Sequence, residues 1–297
     1  MEQTRKHWWD LRNEDLMALA EKDAPLYVYN EETLNEIFFD LSTLDVLAGL
    51  FYPVSMNFNP QILQKVIDLD VHFRCNSLAE VTRLREHFPK LAPERIFFLS
   101  DPGNGKDCEA AVQQGLHVAV RTDNHTILVL SNDANGESTV PMSGMDIPEI
   151  ESYLEALQNA CPQFELRLEL PLHLASYAGA LLMEALESGT AEGTYYIRTQ
   201  LPMNNALYEE IHGTGHQVIN LSRPHDEKII MSRIIPEHKH AENGILYLKT
   251  PCPVESGDML LLTHMGTYGP ETRVNDEGRN GLSECFLKAR SLCRVKL

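Results

Sequence analysis

Three short clusters along the 297-residue chain carry side chains able to do chemistry. His238-Lys-His240, flanked by Glu237 and Glu242, places two imidazoles on one face if the segment is extended. That set could hold a metal, but in a polar stretch it reads first as a solvated turn. His212-Gly-Thr-Gly-His216 has glycine spacing that invites comparison with a phosphate loop, yet it does not run from a strand into a helix as such loops do, and it reads as a β-turn. Asp101-Pro-Gly-Asn-Gly-Lys106 does lie between a strand-like and a helix-like run, where free backbone N–H groups could meet an anion, but it lacks the rest of a P-loop. No G-x-S-x-G elbow occurs. The six cysteines, Cys75, Cys108, Cys161, Cys252, Cys285 and Cys293, include no C-x-x-C pair, so they read as reduced thiols rather than zinc ligands.

Charge narrows the classes further. Asp and Glu number 43 against 25 Lys and Arg, a formal net charge of −18. Such a chain is repelled by phosphate backbones and anionic lipid unless a basic patch reverses the sign locally, and none is present. Nucleic-acid binding is therefore not expected. No run approaches the ~18 consecutive apolar residues of a membrane span, and Met1 to Asp10 has no apolar stretch behind its charges. A cytoplasmic protein is expected.

The elements that would position any site alternate. Residues 1–23 show helical spacing of Trp8, Leu11, Leu16, Leu19 and Ala20. Pro25 to Tyr29 is a short β-type run, and Asn30 to Leu44 reads as a helix. The apolar stretch Val46 to Val54 precedes a helix over Ile62 to Ile67. Strand-like Val71–Cys75, Arg95–Leu99 and His117–Val120 are separated by helical Leu78–His87 and Cys108–Gln114. This period of about 25 residues argues for a parallel α/β sheet or barrel. After Asn124 the pattern weakens to a polar loop at Ser131–Ser138, a helix over Ile147–Ala160 and a strand at Glu165–Leu170. From about Thr194 short strands separated by turns predict an antiparallel β domain.

Phe51-Tyr-Pro-Val-Ser-Met-Asn-Phe-Asn-Pro-Gln-Ile-Leu63 is more specific. It resembles the F-Y-A-V-K-A-N-x-N-P-x-[IV]-L strand of pyridoxal-phosphate (PLP) decarboxylases of the alanine-racemase fold type, diaminopimelate decarboxylase among them. Pro25–Tyr29 is similar to that family's first strand, and Phe73-Arg-Cys-Asn-Ser-Leu-Ala-Glu80 to its F-D-V-x-S-x-x-E. Met203-Asn-Asn205, His216–Arg223, Glu255–Asp258 and Gly266-Thr-Tyr-Gly269 follow in the family's order. The resemblance implies a (β/α) barrel with a β domain, and active sites formed across a dimer.

It also implies what this chain has lost. The lysine that forms the Schiff base with PLP corresponds to Ser55, whose hydroxyl cannot form an imine, and the nearest lysine, Lys65, belongs to the following helix. Ser55 reads as a small inward-facing filler. The acid that faces the pyridine nitrogen corresponds to Glu169, but the E-P-G-R around it has become Glu169-Leu-Pro-Leu172, and proline has no N–H for a phosphate. The family's carboxylate-binding Arg and its Tyr correspond to Tyr208 and His212, which removes an anion fork. Glu169, His212 and Tyr268 remain as candidate acid/base residues, and Glu169 and Tyr268 as weak cofactor contacts.

Residues 25 to 175 offer about 150 positions, whereas a complete (β/α)8 barrel takes about 250. The expected architecture is therefore α/β plus β, an incomplete or remodelled (β/α) barrel followed by an antiparallel β domain. The expected bounds are an N-terminal helix over 1–24, a shortened barrel-like domain over 25–190 and a β domain over 191–297. The expected function is binding, as a homodimer or a heterodimer with a related decarboxylase, with no cofactor. The alternative is a diaminopimelate- or ornithine-type amino-acid decarboxylase that uses PLP.

Overall fold

A computed structural model describes residues 7–100, 105–120, 127–130, 145–160, 162, 165–201, 215–224, 228–237, 246–267 and 282–289. In chain order its elements are α1 (Trp8–Leu11), α2 (Asn13–Asp23), β1 (Leu26–Asn30), α3 (Glu31–Ser42), β2 (Gly49–Pro53), α4 (Pro60–Asp68), β3 (His72–Cys75), α5 (Leu78–His87), β4 (Ile96–Ser100) and α6 (Gly105–Gln113). Next come β5 (His117–Val120), β6 (Ile127–Leu130), α7 (Ile147–Ala160), β7 (Glu165–Glu169), α8 (Leu172–Ser176), β8 (Gly179–Ala191), β9 (Thr194–Thr199), β10 (Val218–Asn220), β11 (Ile229–Pro236), β12 (Leu246–Pro251), β13 (Met259–Thr263) and β14 (Ser283–Leu287). The chain divides into two units, Asn35–Ala175 and the segments on either side of it.

The central unit is built on parallel strands in the order β5-β4-β3-β2-β7-β6, curled into a nearly closed, barrel-like sheet. Local sequence fixes how strands hand over to helices. At the start of α4 the Asn59 side chain accepts from the backbone N–H groups of Gln61 and Ile62, while Pro60 takes the first helical position, where no N–H is needed. At the start of α5 Ser77 accepts from Glu80 N–H, and the Glu80 carboxylate takes the N–H of Asn76. Both caps lie just past the C-terminal ends of β2 and β3, the end where barrel folds place their sites.

Strand alternation sorts the two faces. Tyr52, on β2, meets Phe38 of α3 and donates its hydroxyl to the Asn57 carbonyl, so its face is the helix side. Leu50, Phe73, Cys75, Ile96, Phe98 and Leu168 share that face by register and are buried. Phe51, His72, Arg74, Phe97, Arg167 and Glu169 alternate onto the opposite, inward face. Six parallel strands are present among the described residues, short of the eight that complete a barrel. The incomplete (β/α) barrel and the separate, mostly antiparallel sheet agree with the expectation from sequence.

The flanking unit has the strand order β10-β13-β8-β9-β11-β12, and a bridge between Gln217 and Lys249 joins its two ends. β1 pairs antiparallel with β8 and parallel with β14. Trp8, Trp9, Leu16 and Ala20 of the two N-terminal helices pack on Leu26, Val28, Ala180, Leu182, Leu221 and Leu261. The Trp8 indole N–H donates to the Tyr177 carbonyl at 2.8 Å.

Gly179 is required by a close approach of backbones. A Cβ there would lie 2.4 Å from Gly266 Cα and 2.8 Å from the Met265 carbonyl carbon. Gly179→Ala is expected to cost about 3 kcal/mol, because backbone on both sides must move apart. Urea unfolding of the variant checks this, and a loss within about 0.5 kcal/mol would contradict the contact.

Candidate functional site on the inward face of the parallel sheet

Three layers of inward side chains can be read from the register. Gly49 and Arg167 form the first, Phe51, His72 and Glu169 the second, and Pro53, Arg74 and Phe97 the third. Aromatic and basic side chains meet in the middle of this face. The Phe51 and Phe97 rings lie 4.8 Å apart between centroids, His72 meets the Phe51 edge at 5.9 Å, and the Arg167 guanidinium stands 5.7 Å from the Phe51 centroid.

Arg74 reaches from β3 across β2 to Glu169 on β7. Its Nη2 donates to Oε1 at 2.7 Å, and Nε lies 2.5 Å from Oε2, a close ion pair that is poorly aligned as a hydrogen bond. A further Arg74 nitrogen, Nη1, donates to Asn76 Oδ1. The side chains of Arg74 and Glu169 are 9% and 5% exposed. Both carboxylate oxygens of Glu169 thus face a guanidinium, and charge-assisted forks of this type are the stronger class of polar contact. A carboxylate held this way neutralises a cation already built into the chain.

The residues expected from sequence separate here. Glu169 is on the inward face, as its register requires. Ser55, expected as a small filler, occupies no buried space. It sits in a 3-10 turn at Val54–Met56, just beyond β2, and is exposed, whereas its neighbours Val54 and Met56 are buried. Lys65 lies on α4. His212 and Tyr268 lie outside the described residues, as do His238, His240, the Ser131–Ser138 loop and Asp101–Asn104. Among the described residues no cluster of three or more His, Cys, Asp or Glu could hold a metal ion. Burial pushes the Cys75 thiol far above its ordinary range, so it is a core side chain on the helix-facing side.

At two of the described positions the residues differ from those that PLP, which the resemblance implies, would use. Position 55 offers a hydroxyl in place of an amine, and the carboxylate that would meet the pyridine nitrogen is clamped by Arg74. Arg74 itself was missed as a site residue, although a signal was present. In Phe73–Glu80 it stands where the resembled pattern has Asp, a reversal of charge on an inward position near the one surviving acid.

The unit also carries a half-buried histidine. His173 Nε2 lies 2.8 Å from the Met145 carbonyl, and partial burial holds its imidazole below the ordinary value despite that bond. The unfolded chain therefore binds a proton that the folded chain resists, and stability falls as pH drops from about 7 toward 5. His173→Gln is expected to flatten that part of the pH profile in chemical denaturation. An unchanged slope would contradict the assignment.

No protein-family model matches the chain, and no curated protein sequence matches it. Solved structures do. The barrel-like parallel sheet with a separate, mostly antiparallel sheet matches the fold of several solved decarboxylases. Among them, diaminopimelate decarboxylase from Helicobacter pylori, solved as a point mutant complexed with L-lysine, matches with a TM-score of 0.70 at 15% identity, covering 92% of this chain and 93% of that one. The arginine decarboxylase of Paramecium bursaria Chlorella virus, bound to agmatine, matches at 0.68 and 14% identity, covering 94% of this chain and 100% of that one. SrLDC in complex with PLP and cadaverine matches at 0.70 and 14% identity, covering 92% of both chains. Likeness at this identity shows the fold.

Proposed function

We propose that this chain is a non-catalytic, diaminopimelate-decarboxylase-like protein that has given up Schiff-base chemistry and acts by binding. The observation that carries the reading is the Arg74–Glu169 pair, together with a serine where an imine-forming lysine would stand. An enzyme of the resembled type needs an amine to capture the aldehyde and a free acid opposite the pyridine nitrogen, and neither is offered here. In place of the cofactor, the inward face holds two aromatic rings and an internal ion pair.

The proposed partner is an active amino-acid decarboxylase of the same fold, engaged as a heterodimer, with a homodimer of this chain as the simpler assembly. A cytoplasmic setting agrees with the scattered thiols, and among the described residues no helix is long and apolar enough to cross a membrane. Pull-down from the native cytoplasm tests this. Recovery of an active decarboxylase with the chain supports the reading, and a clean monomer with no partner contradicts it.

The decarboxylase neighbours favour a second reading, an amino-acid decarboxylase of the diaminopimelate or ornithine type that works with PLP. Turnover of such a substrate by the wild-type chain, lost in Glu169→Gln, would establish it in place of the first.

A further inference from the structure

Eight large apolar side chains stay exposed among the described residues, and three of them, Ile229, Met231 and Tyr247, lie on β11 and β12. Strand alternation turns all three to one face, while Ser232, Ile234, Leu246, Leu248 and Thr250 are buried on the other. Register places Arg233 beside Tyr247 on β12 and beside Tyr196 on β9, and Lys249 beside Met231. The outer face is thus an exposed apolar patch that carries two cations. Patches of this kind mark interaction surfaces.

Neither cation is matched within the chain. Among the described residues Arg233 and Lys249 make no ion pair and no side-chain hydrogen bond, and Arg233 Nε is shut off from water without a partner. The acid that shares this face, Glu187 on β8, is taken, since it accepts from the Tyr196 hydroxyl at 2.7 Å and from Arg198 Nε at 3.1 Å. A half-buried guanidinium with an unmet N–H calls for an acceptor from outside. In a chain of net charge −18, this face holds two unmatched positive charges. It therefore repels its own image and attracts a surface that carries carboxylates.

A complementary surface is present on α3. Glu32, Glu36 and Phe39 follow an i, i+4, i+7 line and are all exposed, and Phe39, at 65%, is the most exposed of the eight large apolar side chains. Arg233 and Lys249 stand on a diagonal of the β11–β12 ladder, a spacing of about 7 Å. Carboxylates one helical turn apart, at about 6 Å, match that spacing within side-chain reach. We infer that the Glu32–Phe39 stripe of one copy docks on the β11–β12 face of a second copy. Glu32 and Glu36 meet the two cations, and Phe39 packs among Ile229, Met231 and Tyr247. This gives the homodimer of the proposed binding role its surfaces, and rests on that reading.

The test is sedimentation velocity of the full chain over a range of micromolar concentrations. The wild-type mass is expected to rise with concentration toward that of a dimer, and to fall back in high salt. Arg233→Glu with Lys249→Glu, and separately Glu32→Lys with Glu36→Lys, set like charges against each other. Each double variant, checked for folding by circular dichroism, is expected to weaken self-association about tenfold or more. An equimolar mixture of the two restores opposite charges at either contact and is expected to regain the wild-type mass, which a misfolded variant could not do. The inference is overturned if the wild type stays monomeric, if the double variants associate as tightly as the wild type, or if the mixture does not recover. Association that the double variants leave intact removes these surfaces and keeps the binding role, whereas a monomeric wild type that also captures no decarboxylase removes both. A monomeric wild type that binds phosphatidylserine vesicles assigns the face to anionic lipid and overturns the inference as well.

Discussion

Arg74→Met is expected to destabilise the protein by about 3–5 kcal/mol at neutral pH, because it leaves the Glu169 carboxylate buried without its cation. The loss is that of a stranded charge, which differs from the worth of the pair. Arg74→Met combined with Glu169→Met should therefore recover most of the stability, since a buried ion pair replaced by apolar side chains of similar size is often neutral or better. The single variant should also depend on pH in a defined sense. Without the guanidinium, burial disfavours the charged carboxylate, so the folded state takes up a proton more readily than the unfolded chain does. Its deficit relative to wild type then shrinks as pH falls toward 5. Urea denaturation of the two variants at pH 7.5 and pH 5.5 measures each term. A loss below about 1 kcal/mol for the single variant at pH 7.5 would mean that Glu169 finds water or another cation, and that the inward face is not closed around the pair.

Phe51→Ala is the second large effect, expected at about 3–5 kcal/mol. Phe51 is 1% exposed and touches Phe97, His72 and the Arg167 guanidinium, so its removal opens a cavity in the middle layer of the inward face. Phe51→Leu keeps most of the volume and should cost about 1 kcal/mol. The contrast between the two variants tells a filled interior from a vacant one. If Phe51→Ala costs no more than Phe51→Leu, the ring borders open space and a small molecule could be accommodated beside Glu169.

The parallel sheet was legible in sequence because strand and helix signals alternate there and local caps reinforce them. The Asn59-Pro60 and Ser77–Glu80 helix starts are printed in residue types alone. β8 was not legible. Gly179-Ala-Leu-Leu-Met-Glu-Ala-Leu-Glu187 is rich in helix formers, yet it forms the long strand that pairs with β1, β9 and β13. Its burial is nearly continuous over Gly179–Met183, since neighbours cover both faces, and tertiary packing overrides propensity. β14 was likewise invisible, because Ser283–Leu287 is short and depends on pairing with β1, near the opposite end of the chain. In the candidate site Glu169 was found by register with a known motif. Arg74 was passed over because an arginine on a strand reads as surface, and only β3, β2 and β7 side by side bring it to Glu169. Ser55 is exposed in the 3-10 turn that follows β2, and that local turn carries no signal in residue types alone.

The claim at the centre of this account is that the inward face is complete without a cofactor. The most direct measurement is a PLP titration of the purified full chain, followed by borohydride reduction and mass spectrometry. The account predicts no imine absorbance and no covalent adduct on any lysine. An imine-type absorbance with an adduct on one lysine would contradict it, and would locate the residue that stands in for Ser55.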